Sequence, residues 1–265
     1  FIMKNRNLII FFIFFSAFAL FLTSCQSGTQ EPTSEAEGEE ITETEMGEPA
    51  DDWIVLFDGS STENFKGYCK DGFPDGGWEI VDNTLHCIGS GMGEAGGKGG
   101  DIITTETYGN FELSLEWKIS EGGNSGIFYL AQEKCGEDGQ PIWQSAPEMQ
   151  ILDNERHPDA KLGEAGNRQA GSLYDLIPAD PQNANPAGEW NETRIMVYKG
   201  TVVHYQNGEN VLEYHLWTDD WNNMVAESKF RDYEDFVKPA QEGHIGLQDH
   251  GDDVWFRNIR IKLLD

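Results

Sequence analysis

The sequence predicts an all-β protein, a sandwich of antiparallel strands, and three observations carry that prediction. In "FELSLEWKIS", Phe111, Leu113, Leu115, Trp117 and Ile119 fall on one face, with Glu112, Ser114, Glu116 and Lys118 on the other. That period of two belongs to a half-buried antiparallel strand. "TRIMVYKGTVVHYQNGENVLEY" reads as consecutive strands turning at Lys199-Gly200 and at Asn207-Gly208, the latter a strong hairpin signal. Finally, "DDWNNMVAESKFRDY" is the one stretch with a helical look, which leaves little room for helix layers.

Taken in chain order, the first element is not part of the fold. Lys4 and Arg6 precede an apolar run from Leu8 to Leu22, and Leu22-Thr23-Ser24-Cys25 has the form of a bacterial lipobox. Residues 1–25 are therefore expected to be a lipoprotein signal peptide starting at Met3, cleaved before a diacylated Cys25. Gln26 after that cysteine favours outer-membrane over inner-membrane sorting. Residues 26–52 hold no aromatic residue and no Lys or Arg, while Glu and Asp recur. Such a segment has too little apolar surface to form a core and is read as an acidic, disordered tether.

Residues 53–265 have the length of one sandwich domain. Strands are expected in "WEIVDNTLHCIG", "GGNSGIFYL", "EMQIL" and "VWFRNIRIKLL". Gly91-Met92-Gly93-Glu94-Ala95-Gly96 matches G-x-G-x-x-G, but no helical period follows it and Lys98 does not stand in G-K-[ST], so it is read as a Gly-rich loop. Apart from Cys25, the cysteines are Cys69, Cys87 and Cys135, so at most one disulfide can form within the domain. Cys69 with Cys87 is the expected pair, because their segments can be neighbours, leaving Cys135 free. No Cys/His pattern for zinc is present. A formal net charge of -29 argues against a nucleic-acid partner, since phosphate binding relies on Lys and Arg releasing counterions. A neutral sugar meets no such barrier.

The chemistry-bearing stretch is "PEMQILDNERH". Strand alternation sends Met149 and Ile151 to one face and Glu148 and Gln150 to the other. The Asp153-Asn154 turn then puts Asp153 and His157 at the strand end, where loops gather reactive groups. Asn124 and Ser125 lie between glycines before an aromatic strand, and Gln248, Asp249, His250 and Arg257 cluster near a turn. Side-chain amides with aromatic platforms suit neutral sugars.

These residues sit in stretches that resemble the 3-keto-disaccharide hydrolase domain family of exported bacterial proteins: "LFDGSSTENFKGY", "FELSLEWKISEGGNSGIFYL", "PEMQILDNERHPD", "AGSLYDLIPA", "PAGEWNETRI", "ESKF" and "GHIGLQDHGDDVWFRNIRIK". The resemblance spans nearly the whole domain. It departs from the family at Leu130, where arginine is often found, and at Ser172 and Asp175, where Ala and Gly are common. It implies a concanavalin A-like jelly roll of the lectin and glucanase type, acting on glycosides already oxidised at C3. A C3 ketone acidifies the C2 proton, a base removes it, and the enolate expels the C1 oxygen, with water adding afterwards for net hydrolysis. On that chemistry Glu148, Asp153 and His157 are the expected proton-transfer set, and Asn124, Gln150, Gln248, His250 and Arg257 the groups that bind the sugar or the enolate. No cofactor is required by the sequence, though a divalent ion held by Glu148, Asp153 or His157 is compatible with these residue types.

Two alternatives stand beside this one. Residues 148–153 approximate the E-x-D-x-x-E of laminarinase-type glucanases, with Gln150 in place of Asp and Asp153 in place of Glu. Retention needs carboxyls about 5–5.5 Å apart, which the shorter Asp supplies poorly. The other alternative is a non-catalytic carbohydrate-binding lipoprotein.

Overall fold

The computed structural model describes residues 52–91, 97–136 and 139–265. The expected signal segment, Cys25 and the expected acidic tether up to residue 51 lie outside the described residues, as do residues 92–96 of the Gly-rich motif. Two antiparallel sheets face each other in a jelly-roll sandwich. The larger contains β3 (Trp78–Val81), β4 (Thr84–Cys87), β6 (Phe111–Ile119), β9 (Asn191–Tyr198), β10 (Thr201–Gln206), β11 (Glu209–His215) and β13 (Val254–Leu263), in the order β11-β10-β9-β6-β13-β4-β3, with β1 (Trp53–Phe57) also paired to β13. The smaller runs β2 (Phe65–Gly67), β5 (Ile102–Thr104), β12 (His244–Leu247), β7 (Asn124–Ala131), β8 (Glu148–Leu152).

The hairpins form where the turn chemistry places them. Lys199 and Gly200, and Asn207 and Gly208, all have positive φ, the backbone that a tight hairpin of this hand needs. A third such turn, at Asp82-Asn83, joins β3 to β4. On β6 the five residues of the apolar face are all at most 1 % exposed and fill the space between the sheets. Among the core aromatics stands one polar cluster: the Tyr129 hydroxyl lies 2.8 Å from His204 Nε2 and 2.7 Å from the Tyr214 hydroxyl, and His204 Nδ1 lies 3.0 Å from Gly171 O. Burial pushes the His204 imidazole down to about 4, so it stays neutral there.

The expected helix appears in shortened form. Thr218 caps α1 (Asp219–Ala226) by accepting from Trp221 N. The Ser228 hydroxyl donates to Val225 O and accepts from Phe230 N, a local competition that ends the helix. The chain then runs irregularly through residues 227–233 to the one-turn α2 (Glu234–Val237). No helix among the described residues is long and apolar enough to cross a membrane.

The disulfide differs from the expected one: Cys69 is joined to Cys135, and Cys87 is free and buried. Cys87 lies on β4 with its side chain in the core between the sheets, while Cys69 sits in the exposed loop after β2 of the other sheet. The loop after β7 meets Cys69 there. Glu133 reinforces that contact by accepting from Cys69 N (2.9 Å) and from Lys66 Nζ (2.8 Å). We expect the domain, denatured without reductant, to titrate one thiol among these three cysteines and to titrate three after reduction. A single thiol assigned to Cys135 by mass mapping would contradict this pairing.

Candidate functional site

β8 sets the geometry. Met149 and Ile151 point into the core, so Glu148 and Gln150 point out of the sandwich, as alternation requires. Both are nevertheless buried, at 7 % and 1 % exposure, because the expected open face is roofed by loops. The segment at residues 171–174 runs along the outer side of β8: Gln150 N donates to Ser172 O, Gly171 N to Gln150 O, and Tyr174 N to Glu148 O. This covers an otherwise open sheet edge and brings Tyr174 to Glu148.

In the register of β7 on β8, Gly126 faces Gln150 and Phe128 faces Glu148. On the other side of β7, Gln248 N donates to Gly126 O. The Glu148 side chain lies across Gly126, where an added Cβ would sit 2.0 Å from Glu148 Oε1. Around that glycine stand Asn124 on the same strand, Gln150 on β8 and Gln248 beyond β12. They line one cleft of about 520 Å³ together with Asp101, Pro141, Trp143, Glu148, Tyr174, Lys229, Phe230, Tyr233, Asp249 and His250. A larger hollow of about 720 Å³ around Tyr108 and Trp217 lacks such a buried carboxyl, and a smaller one of about 410 Å³ opens between Glu116 and Arg260.

The carbonyl oxygens Asn124 Oδ1, Gln150 Oε1 and Gln248 Oε1 are buried without a hydrogen-bond partner. Groups left so are costly and call for donors from a ligand. Asn124 Nδ2 lies 3.2 Å from His250 Nε2. Burial pushes the Glu148 carboxyl up to about 8; the Lys229 ammonium opposes the rise, and the charges of Asp101 and Asp159 add to it. Burial likewise pushes Asp101 up to about 7, against the N–H that Asp249 donates to it.

Of the eight residues expected at the site, Glu148, Gln150, Asn124, Gln248 and His250 are brought together. Asp153, His157 and Arg257 are not. The Asp153 carboxylate accepts from the backbone N–H of Gly122 (2.7 Å), Glu155 (3.1 Å) and Arg156 (3.3 Å), and from Arg156 Nη1 (3.4 Å). Burial acts to raise its pKa, but these donors outweigh that and hold it below the usual carboxylate range. It organises the turn, and the second carboxyl of a glucanase pair is therefore not assembled. His157 caps the one-turn helix Pro158–Lys161, its Nδ1 accepting from Asp159 N. Its ring packs edge-on behind His250 with centroids 6.4 Å apart. Arg257 is on the far side of the molecule: Val254 and Phe256 fill the core, so alternation turns Arg257 outward on the large sheet. There it pairs with Glu116 at 2.5 Å and stacks 4.0 Å over Trp190.

The divalent-ion set Glu148, Asp153 and His157 is accordingly not gathered. Among the described residues the one group of three close His, Cys, Asp or Glu ligand atoms is Cys69, Glu133 and Cys135, and its two sulfurs are spent on the disulfide.

Sequence reasoning missed Asp101, Tyr174 and Lys229. Tyr174 and Lys229 lie in stretches quoted for the resemblance and Asp101 lies outside all of them, and no strand phase or spacing marks the three as neighbours of Glu148. Lys229 Nζ stands 4.2 Å over the Tyr174 ring and 3.8 Å from Asp175 Oδ2. Asp175 is in turn held by Arg168, which also pairs with Asp159 at 2.8 Å, and the Tyr174 hydroxyl donates to Asp159 at 2.9 Å.

A jelly-roll sandwich with a buried carboxyl set among amides in a cleft on its smaller sheet is the architecture of a carbohydrate-active enzyme. The chain belongs to the 3-keto-alpha-glucoside-1,2-lyase-like domain family, whose model matches residues 52–262. It is 55% identical over 232 residues, 82% of this chain and 80% of the relative, to a protein of Bacteroides thetaiotaomicron named 3-keto-disaccharide hydrolase. Two solved structures from Parabacteroides distasonis, described provisionally as glycosyl hydrolases, share the fold. One has 28% identity and a TM-score of 0.69 over 80% of this chain and 94% of that one. The other has 27% identity and a TM-score of 0.60 over 80% and 99%.

A carboxyl whose folded-state pKa lies above its unfolded value holds its proton more tightly when folded. Its contribution to stability is therefore greatest at acid pH and declines as pH rises from about 4.5 towards about 8. Glu148→Gln removes that decline. Its melting temperature relative to wild type should rise by about 4 °C or more between pH 5 and pH 9; a difference independent of pH would show that Glu148 is not buried as described.

Proposed function

We propose that the domain cleaves the glycosidic bond of 3-keto-glycosides or 3-keto-disaccharides by elimination, followed by addition of water where the net outcome is hydrolysis. The observation that carries this reading is the placement of Glu148: a buried carboxyl of raised pKa, laid over Gly126 in a cleft of donor-seeking amide carbonyls. A proton next to a ketone needs a strong base, and desolvation makes an ionised carboxylate a stronger one. The free amide carbonyls suit the donor hydroxyls of a sugar, and Trp143 and Tyr233, packed edge to face at 5.1 Å, offer an apolar wall. Ionised Glu148 takes the C2 proton, the electron pair passes through the C3 oxygen and returns, and the C1–O bond breaks. The proton now on Glu148 passes to the departing oxygen, so one carboxyl serves both steps. The name and identity of the Bacteroides thetaiotaomicron relative support the same substrate class.

Purified protein should release the leaving group from a 3-keto-glucoside and leave the parent glucoside intact. Its kcat/KM should rise with pH through about 8 as Glu148 ionises, and Glu148→Gln should lower it by at least about 10²-fold. Cleavage of the unoxidised glucoside at a comparable rate would refute this reading.

The proposal extends to an exported, lipid-anchored chain, supported by Lys4, Arg6, the apolar run and Leu22-Thr23-Ser24-Cys25. The acidic residues 26–52 then act as a spacer repelled by an anionic membrane surface, and Gln26 favours the outer membrane. Cys25→Ala should move the protein from the membrane to the soluble fraction; a variant that stays with membranes would refute anchoring at this residue.

A further inference from the structure

The cleft is asymmetric in its chemistry. Its floor presents three buried, unpartnered amide carbonyls, from Asn124, Gln150 and Gln248, beside the carboxyls of Glu148 and Asp101. All of these oxygens can take donors from sugar hydroxyls. The amide carbonyls and an ionised Glu148 repel a ketone, which only accepts, and still more an enolate carrying negative charge. Oxygen-against-oxygen repulsion therefore turns the oxidised carbon away from the floor carbonyls. The amide NH₂ groups there are neutral donors and offer no charge to match an enolate.

The cleft is also lined by Lys229, the one ammonium or guanidinium among the residues described there. Its position is triangulated by the Tyr174 ring at 4.2 Å, the Phe230 ring at 5.1 Å and Asp175 Oδ2 at 3.8 Å. Asp175 is itself held by Arg168, and Arg168 by Asp159. At 3.8 Å the Asp175 contact is too long for a good hydrogen bond, so the ammonium is located without being consumed. Its side chain is 41% exposed, which leaves the head group open to a ligand.

We infer that Lys229 reads the C3 carbonyl: its ammonium hydrogen-bonds the ketone oxygen of the bound sugar and holds the negative charge that this oxygen acquires when C2 is deprotonated. The inference rests on the elimination reading above and deepens it. As Glu148 takes the C2 proton, the C–H electron pair becomes the C2–C3 double bond and the C3–O π pair moves onto the oxygen facing Nζ. When that pair returns, the C1–O bond breaks and the ammonium is left unchanged. Lys229 thereby separates oxidised from unoxidised glycosides, because a C3 hydroxyl develops no such charge. Removing one donor from an oxyanion site of this kind costs about 10²–10³ in rate.

The test compares the full-length wild type with Lys229→Met, Lys229→Gln and Lys229→Arg on a 3-keto-glucoside, and measures calorimetrically the affinity of each for the unoxidised parent glucoside. The expected result is a loss of kcat/KM of about 10²-fold or more in the Met and Gln variants, partial retention in Arg, and parent-glucoside affinity within about twofold of wild type in all three. The Gln variant keeps length and polarity, so the question stays answerable if the Met variant does not fold. Full activity in Lys229→Gln alongside an active wild type would overturn the assignment while leaving the elimination reading standing. An equal loss of parent-glucoside affinity would also overturn it, by making Lys229 a general sugar contact. A wild type inactive on every 3-keto-glycoside would overturn both.

Discussion

The site depends on a side chain that is missing. Glu148 Oε1 occupies the space over Gly126 that any β-carbon there would take, at 2.0 Å from an ideal Cβ. Without that glycine the carboxyl would be pushed out of the floor, and its spacing from Gln150, Gln248 and Asn124 would be lost. Because β7 lies between β8 and β12, the glycine is also the point where their outward side chains converge. β7, β8 and the residue that follows β12 thus aim polar groups at one vacancy in an ordered sheet.

Holding a carboxyl there is energetically unfavourable, and the rest of the architecture meets that demand. Desolvation raises the Glu148 pKa, and such a group persists only in a frame rigid enough to deny it water. The frame is the core behind it: Met149 and Ile151 lock β8 in phase, and the apolar face of β6 fills the space between the sheets. The roof comes from segments pinned at a distance. His204 and the Tyr129 hydroxyl tie the 171–174 segment to the core through Gly171 O. The Cys69–Cys135 bond anchors the loop that leads to Pro141 and Trp143.

Charge is arranged with similar economy. Burial raises the pKa of both acidic groups near the floor; the charge of Asp101 adds to the rise at Glu148, and the charge of Asp249 adds to the rise at Asp101. Of the cationic groups, Lys229 lines the cleft, and Arg168 is held between Asp159 and Asp175. Asp175, a departure from the residue common in the family, supplies part of the mount for Lys229.

Strand phase in "FELSLEWKIS" and "EMQIL", and the turn pairs Lys199-Gly200 and Asn207-Gly208, were enough to define the sandwich, its core face and the outward aim of Glu148 and Gln150. These are local properties, since a period of two and a positive-φ turn are decided within a few residues. The same rule applied to Val254 and Phe256 would have turned Arg257 to the outer face of its strand. Tertiary structure alone decided which long-range partners meet. It joined Cys69 to Cys135, brought Asp101, Tyr174 and Lys229 to Glu148, and spent Asp153 on the backbone donors of its own turn. Those outcomes depend on how loops of very different sequence position fold back over the small sheet. Residue spacing carries no record of that, because loop closure is governed by the packing and hydrogen bonds found only once the sheets have formed.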